Sequence, residues 1–261
     1  MEFQGRVVVV TGGGDGIGAA LCRRAAQNGA SLVVVSDIDL CAAQSVADEI
    51  GGLAVAADVA SELQVQQLVE QTLAAAGRLD IFVSNAGITF KGGLDCENTE
   101  WQRLWDVNVM SRLYAARACV PVMLRQGEGY LVHTASAAAL ITEIGSAGYS
   151  VTKQADLAMA EWLAIQYGRQ GLRVSCVCPL GVQTQMLDEE DPIHRYLHLH
   201  VISPEQAADA IVEGIREERF LILPHPEVAE FHELKTQDRD RWIRGMQRLL
   251  QKLNRTPRAQ V

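Results

Sequence analysis

The run Val7-Val-Val-Val-Thr-Gly-Gly-Gly-Asp-Gly-Ile-Gly18 decides the fold of this chain. Four consecutive valines are typical of a strand that is buried on both faces of a parallel sheet. The glycines that follow let the backbone turn sharply, and the turn leads directly into a helical pattern. In such a unit the N-terminus of the helix faces the pyrophosphate of a dinucleotide. We therefore predict a set of cofactor-binding residues in this turn: Gly12, Asp15, Gly16, Ile17 and Gly18.

Short β-branched runs alternate with helical patterns along the rest of the chain. This alternation is typical of right-handed β-α-β units around a parallel sheet. The predicted strands are Val7–Val10, Leu32–Ser36, Leu53–Ala57, Ile81–Ser84, Tyr130–Thr134, Val174–Cys178 and Phe220–Leu223. We predict an α/β fold, a Rossmann-like doubly wound parallel sheet of about seven strands in a single domain with an added C-terminal helix. The dinucleotide-binding catalytic domain would span residues 1–224, and the C-terminal helical extension residues 225–261.

Composition and charge exclude several classes of function. The chain has 261 residues and carries 32 acidic against 23 basic side chains, for a net charge of -9. Such a surface repels phosphate backbones, so we expect no nucleic-acid partner. No apolar run approaches the roughly 18 residues that span a bilayer, and no signal-peptide pattern is present, so we expect a cytoplasmic protein without membrane association. The cysteines form no Cys-x-x-Cys pair, and His194, His198 and His200 lack a clear acidic partner, so we predict no metal site.

Asp37 predicts the choice of cofactor. It ends the second predicted strand, 19 residues beyond Gly18, where an acidic side chain accepts hydrogen bonds from the adenosine ribose hydroxyls. A 2′-phosphate would meet Asp37 and Asp15 as like charges, and no Arg or Lys follows at once, so we predict NAD rather than NADP. The alternative is that Asp37 is an ordinary exposed loop residue. Asp58 and Val59 close the third strand and are predicted to contact the adenine.

The segment Tyr149-Ser-Val-Thr-Lys153 predicts proton transfer. Its spacing places the tyrosine and the lysine on one face of a helix, and Ser136 follows the strand Tyr130–Thr134. A tyrosine titrates near about 10 in water, and we expect the ammonium one turn away to lower this pKa by favouring the phenolate. Ser136 would hold a substrate oxygen while Tyr149 moves the proton. Taken alone, the spacing equally describes an ordinary solvated helix.

Together these motifs resemble the short-chain dehydrogenase/reductase family of the single-domain type. The resemblance covers roughly Phe3 to Leu223 and rests on Thr11-Gly-x-x-x-Gly-x-Gly18, Asn85-Ala-Gly87, Asn108, Ser136, Tyr149 and Lys153, in the family's order and spacing. It implies an oxidoreductase that transfers a hydride between NAD(H) and the carbinol or carbonyl carbon of a small molecule. The catalytic residues that it implies are Asn108, Ser136, Tyr149 and Lys153.

The same resemblance implies roles for residues that follow other strands. Asn108 would sit in a helix distortion and relay protons through water beside Lys153, which would also bridge the nicotinamide ribose hydroxyls. The further cofactor-binding residues that it implies are Asn85, Ala86, Gly87, Pro179, Val182 and Thr184. On the residues alone, Asn85 is equally a turn residue and Asn108 equally a helix-end residue. The chain departs from the family at Pro179-Leu-Gly181, where Pro-Gly is usual, and we expect an altered backbone near the nicotinamide amide.

The substrate is expected to be an apolar alcohol or ketone. Apolar residues follow Ser136 in Ala137–Ile141 and recur between residues 184 and 203, where they either cover a substrate or simply pack on the core. One alternative is a 3-oxoacyl thioester reductase of lipid metabolism, against which Asp37 and the net charge argue. Another is a non-catalytic NAD-sensing scaffold, against which the complete set of proton-transfer residues argues.

The tail beyond Leu223 is predicted to be an interaction element. Pro224-His-Pro226 precedes a helical stretch to about Leu253. One face of that stretch is apolar and consists of Trp242, Met246, Leu249, Leu250 and Leu253. We expect it to pack on its own domain, on a partner subunit or over the active site. The family resemblance implies a homodimer or homotetramer built on the helices that hold Asn108 and Tyr149.

Overall fold

The computed structural model describes residues 1–187 and 201–255. Within them the chain forms one seven-stranded sheet in the order β3-β2-β1-β4-β5-β6-β7, and every neighbouring pair of strands is parallel. The strands are β1 (Val7–Thr11), β2 (Leu32–Asp37), β3 (Leu53–Ala56), β4 (Ile81–Ser84), β5 (Gly129–Thr134), β6 (Leu172–Val177) and β7 (Leu221–Ile222). The predicted Rossmann-like fold is confirmed.

Helices cover both faces of this sheet. They are α1 (Gly16–Gln27), α2 (Leu40–Ile50), α3 (Glu62–Ala76), α4 (Asn98–Trp105), α5 (Ser111–Gln126), α6 (Ala138–Ile141), α7 (Ala147–Tyr167), α8 (Pro204–Arg216), α9 (Glu227–Gln237) and α10 (Arg239–Arg255). The valines of β1 show why two layers are needed. Val9 joins one apolar cluster, whereas Val8 and Val10 join the other, because successive strand residues point to opposite faces. None of the helices among the described residues is long and apolar enough to cross a membrane.

The strand order reverses between β1 and β4, and this reversal positions the site. β1 pairs with β2 on one side and with β4 on the other, so the connections from β1 and β4 leave on opposite faces. In open parallel sheets the crevice at the carboxyl ends of such strands is where ligands bind. The loops after β1, β4, β5 and β6 all meet at this edge.

The C-terminal tail differs from the single helical stretch expected. It forms two helices, α9 and α10, because the backbone of Asp238 is extended, with φ -147° and ψ 92°. The Asp238 carboxylate accepts a hydrogen bond from the backbone N–H of Arg241 at 2.8 Å, and aspartate is among the preferred residues for starting a helix. Along α10, Trp242 is half-buried, whereas Leu250 remains 39% exposed. The apolar face is therefore only partly covered within the chain.

The buried carboxylate of Asp80 forms hydrogen bonds and ion pairs at the amino ends of β1 and β4. These contacts predict that the stability of the protein depends on pH. Asp80 accepts the Val7 N–H at 2.8 Å and pairs with Arg6 at 3.1 Å and Arg78 at 2.6 Å. Burial raises its pKa, but the Arg78 pair and the other two contacts outweigh this and hold the pKa below its usual range. We expect Asp80→Asn to lower the free energy of unfolding by about 2–3 kcal/mol at pH 7, measured by urea unfolding.

The pH dependence of this effect has a defined sign. A carboxylate with a depressed pKa in the folded state stabilises the protein above its unfolded-state pKa of about 4, and this contribution is lost as the pH falls through the folded-state value. The variant and the wild type should therefore converge in acid. Glu49→Gln, which removes the exposed partner of Arg23, is the control and should leave the free energy of unfolding nearly unchanged, because an exposed ion pair contributes little. Equal stability of Asp80→Asn and wild type at pH 7 would contradict the prediction.

Candidate active site

A cavity of about 760 Å³ opens at the carboxyl ends of β1, β4, β5 and β6. Most of the predicted site residues line it: Gly12, Asp15, Gly16, Ile17, Asp37, Asp58, Val59, Asn85, Ala86, Gly87, Ser136, Tyr149, Lys153, Pro179, Val182 and Thr184. The two others, Gly18 and Asn108, are not part of the lining but contact residues that are. Residues from separate parts of the chain thus meet in one cleft.

The glycine-rich turn after β1 forms a tight cradle on one wall. Gly12 and Gly16 have positive φ values of 62° and 51°, a backbone conformation that favours glycine. A Cβ on Gly12 would lie 2.9 Å from the Ala86 Cα, and a Cβ on Gly18 would overlap the Gly12 carbonyl oxygen. Side chains are therefore excluded here. Gly16 begins α1 and lines the cavity, so the positive end of the helix dipole is available to an anion.

Asp37 is held at the edge of this cradle by backbone contacts. Its Oδ2 accepts the Gly14 N–H at 3.0 Å, and its Oδ1 accepts the Asp39 N–H at 3.1 Å. These bonds orient the carboxylate, which lines the cavity at the end of β2. The Asp37 carboxylate therefore has a fixed orientation at the edge of the cavity.

Asn85 and Thr11 tie the turn to the end of β4. The Asn85 Nδ2 donates to the Thr11 and Gly12 carbonyl oxygens at 3.1 and 3.2 Å. The Thr11 hydroxyl accepts the Asn85 and Ala86 N–H groups at 3.0 and 3.2 Å and donates to the Val83 carbonyl. Sequence reasoning assigned no such bridging contact to Thr11. The available signal in the sequence was that Thr11 directly follows the valines of the first predicted strand.

Asn108 lies in a π-helical turn, Asp106–Met110, between α4 and α5. It is fully buried. Its Oδ1 accepts the Ile88 N–H at 3.0 Å, and its Nδ2 donates to the Ile88 carbonyl at 2.9 Å and to the Thr152 hydroxyl at 3.2 Å. A Cβ on Gly87 would lie 3.3 Å from the Asn108 Oδ1 and 3.4 Å from the Lys153 Nζ. The helix distortion is therefore present, and Asn108 and Lys153 converge on Gly87.

Ser136, Tyr149 and Lys153 occupy the same cavity wall, each less than 10% exposed. The Lys153 Nζ donates to the Thr134 carbonyl at 2.9 Å and lies 5.5 Å from the centroid of the Tyr149 ring. Burial raises the pKa of Tyr149, although the Ser136 hydroxyl acts in the opposite direction. Burial, followed by the charge of Arg112, lowers the pKa of Lys153 to about 8. The expectation of a lowered pKa for Tyr149 is therefore wrong for this cleft, because desolvation of the phenolate outweighs the nearby charges.

A buried ion pair lies beneath Lys153 and was missed by sequence reasoning. The Arg112 Nε lies 3.2 Å from the Asp156 Oδ2, and the His133 Nδ1 lies 2.7 Å from the Asp156 Oδ1. Burial raises the pKa of Asp156, but Arg112 and His133 lower it to about 2 overall. The Arg112 Nη1 also donates to the Ala86 carbonyl at 2.7 Å. The available signal was the spacing of Asp156 from Lys153, which places both on the buried face of α7.

The segment after β6 closes the cavity beside the glycine-rich turn. A Cβ on Gly16 would lie 2.9 Å from the Thr184 Cγ2, so these two predicted residues face each other closely. Residues 188–200 of the predicted substrate segment, with His194, His198 and His200, lie outside the described residues. Among the described residues, no three His, Cys, Asp or Glu side chains are grouped to hold a metal ion.

Comparisons with known proteins show the family and the fold that the chain shares. The sequence model of the family described as short chain dehydrogenase matches residues 6–193. The chain is 34% identical over 231 residues to a 1-deoxy-11-beta-hydroxypentalenate dehydrogenase of Streptomyces avermitilis, covering 85% of each protein. Its fold matches a short chain dehydrogenase/reductase from Burkholderia phymatum in complex with NAD, with a TM-score of 0.84, 28% identity and coverage of 92% and 96% of the two chains. It also matches a 3-ketoacyl-(acyl-carrier-protein) reductase from Brucella melitensis complexed with NADH, with a TM-score of 0.77, 29% identity and coverage of 85% and 97%.

Proposed function

The chain belongs to the short-chain dehydrogenase family of oxidoreductases, and on that premise we propose that it is an NAD-dependent alcohol dehydrogenase or ketone reductase. The reaction would transfer a hydride between NAD(H) and the carbinol or carbonyl carbon of an apolar small molecule. The observation that carries this proposal is the presence of Ser136, Tyr149 and Lys153 in one cavity with the glycine-rich turn.

The residues that line the cavity fit a dinucleotide. The N-terminus of α1 would receive the pyrophosphate, and the fixed Asp37 carboxylate would accept hydrogen bonds from the adenosine ribose. The lining residues after β3, β4 and β6 complete the cradle: Asp58, Val59, Asn85, Ala86, Gly87, Pro179, Val182 and Thr184. When bound, NAD(H) would supply the hydride acceptor or donor.

The chain's own residues would move the proton. The raised pKa of Tyr149 keeps its phenol protonated, so it can donate to a carbonyl oxygen that Ser136 holds. In the oxidative direction Tyr149 must first be a phenolate. Burial opposes this form, so the charges of Lys153 and of the bound nicotinamide would have to stabilise it. The family resemblance implies that a water near Asn108 and Lys153 would pass the proton onward, whereas the Asn108 side chain is already bonded to Ile88 and Thr152.

Two observations support an apolar alcohol or ketone as the substrate. The cavity lining contains several apolar side chains: Ile88, Val107, Leu180, Val182, Met186 and Leu187. The name of the hydroxypentalenate dehydrogenase describes oxidation of a hydroxylated molecule. The second candidate is a 3-oxoacyl thioester reductase, which the structural similarity to the 3-ketoacyl reductase favours. The net charge of -9 argues against docking of an acidic carrier protein. Asp37 does not separate the two candidates, because the matched 3-ketoacyl reductase is itself complexed with NADH.

We also propose that the protein is a homodimer or homotetramer. The helices α4 and α7 expose large apolar side chains to water: Trp105, Val151, Trp162 and Ile165. Ile165 is 82% exposed and Trp162 is 54% exposed. Apolar residues grouped on such faces are typical of protein interfaces.

The cofactor preference tests this proposal. We expect kcat/KM for NAD to exceed that for NADP by at least about tenfold, because the 2′-phosphate would face the Asp37 carboxylate. Cofactor use would be measured by NADH and NADPH fluorescence with a panel of cyclic, aryl, steroid and aliphatic alcohols and ketones. Asp37→Ser should reduce the preference, whereas the control Asp39→Asn, which keeps the cap of α2, should retain it. Equal or better use of NADP by the wild type would refute the assignment of NAD.

A further inference from the structure

His225 is the first residue of the C-terminal extension, and it is bonded to the loop after β6. Its side chain is 2% exposed. Its Nδ1 accepts the Leu180 N–H at 3.1 Å, and its Nε2 lies 3.0 Å from the Gly181 carbonyl oxygen. Since a backbone N–H can only donate, Nδ1 carries no proton and Nε2 donates to Gly181. The neutral imidazole therefore satisfies two backbone groups of the loop at once.

These two backbone groups lie where the chain departs from the usual family sequence. Pro179, Leu180 and Gly181 line the cavity, and the Pro179 carbonyl accepts the Ala137 N–H at 2.7 Å. The loop after β6 is thus bonded both to His225 and to the segment that follows Ser136. Without the imidazole, the Leu180 N–H would lose its partner in a partly buried position, which is costly.

Lys235 on α9 anchors the second loop of the cavity. It is 9% exposed, and its Nζ donates to the Leu140 carbonyl at 2.6 Å and to the Thr142 hydroxyl at 3.3 Å. Leu140 belongs to the last turn of α6, where carbonyls lack helical partners and favour a cation. The start of α6 is bonded to Ser136, whose hydroxyl accepts the Ala138 N–H at 3.1 Å. Lys235 therefore holds the far end of the short helix that follows Ser136.

We propose that His225 and Lys235 are positioning residues of the active site, through which the C-terminal extension holds the two loops that border the reacting groups. His225 sets the Pro179–Gly181 backbone on the side predicted to meet the nicotinamide. Lys235 sets α6 and thereby Ser136, on the substrate side. That one loop meets the nicotinamide and the other the substrate rests on the proposed function. The hydrogen bonds of His225 and Lys235 do not depend on it.

The extension also packs on the domain through a buried apolar residue, so the loss of one polar contact should not detach it. Val228, between the two positioning residues, is fully buried in the main apolar cluster. Its burial secures α9 without either polar contact. Loss of His225 or Lys235 should therefore loosen one loop each, rather than release the whole extension.

The test compares point variants of the full chain. His225→Phe keeps the ring and removes both bonds, and His225→Asn restores an acceptor near the Nδ1 position. We expect His225→Phe to raise the Kd for NADH about tenfold, the size expected for one lost buried hydrogen bond, and His225→Asn to recover part of this. Lys235→Met should raise the KM for the alcohol and lower kcat with the Kd for NADH unchanged, and Lys235→Arg should recover activity. Glu230→Met, at an exposed position of α9, is the control and should change none of these values.

Amide hydrogen exchange separates this proposal from the proposed function. In the protein without added cofactor, His225→Phe should speed exchange in residues 179–187, and Lys235→Met in residues 138–142. If the wild type binds no NADH but exchange responds in this way, the proposed function fails and the two contacts still position the loops. If exchange in both segments, the Kd for NADH and the KM stay at wild-type values, the positioning roles are refuted. The proposal would also be overturned if NADH affinity and turnover fell together in every variant, in step with its melting temperature. Such a pattern would indicate a purely structural role.

Discussion

Tyr149→Phe is expected to lower kcat by about 10²–10⁴-fold, the usual contribution of a general acid–base group, while the Kd for NADH stays within about twofold of wild type. Phenylalanine keeps the ring, which is 8% exposed in the cavity wall, and removes only the hydroxyl that carries the proton. The measurement is steady-state turnover with any substrate found in the alcohol and ketone panel, together with NADH binding by fluorescence.

Tyr167→Phe is the matched control for this substitution. Tyr167 ends α7, the same helix, and its ring packs edge-on against Trp162 at 6.0 Å between centroids, outside the cavity lining. Its loss of a hydroxyl should leave kcat unchanged. Residual activity of Tyr149→Phe above about a tenth of wild type would remove Tyr149 from its proposed role.

Asp156→Asn is expected to lower the free energy of unfolding by about 3–5 kcal/mol, since it leaves a buried guanidinium without its counter-charge. Arg112 is 1% exposed and Asp156 is fully buried, so water cannot replace the lost partner. The measurement is urea unfolding at pH 7. Arg117→Met, which breaks the exposed pair with Glu62 at 2.9 Å, is the matched control and should cost less than about 1 kcal/mol.

A double variant distinguishes loss of the ion pair from general damage to the core. Arg112→Met combined with Asp156→Leu removes both charges and should recover much of the stability, because an apolar pair avoids the cost of burying ions. The Asp156 carboxylate also raises the pKa of Lys153. In Asp156→Asn this pKa should fall below about 8, and NADH binding should weaken at a lower pH than in wild type. A stability loss below about 1 kcal/mol for Asp156→Asn would contradict the importance of the buried pair.

Local patterns in the sequence were sufficient to predict the sheet, the glycine-rich turn, Asp37 and the pair Tyr149 and Lys153, whereas the family resemblance supplied Asn108 and the residues after β4 and β6. The expected strand Val7–Val10 is observed as Val7–Thr11. A run of valines favours the extended conformation of a buried strand, and the glycines that follow end the strand. Tyr149 and Lys153 share one face of α7 because helical geometry alone places residues four apart together. Sixteen of the predicted residues line the cavity, since the carboxyl ends of parallel strands meet at one edge of the sheet.

Contacts between distant residues were decided only by the tertiary structure. Arg112 and Asp156 are 44 residues apart, and Leu180 and His225 are 45 apart, so no local periodicity links either pair. The break between α9 and α10 at Asp238 was missed because the helical pattern continues on both sides of it. The pKa of Tyr149 depends on how completely the folded chain removes water from the phenol. Burial and long-range pairing are properties of the packed molecule, and they determine the electrostatics of the cleft that the sequence pattern only locates.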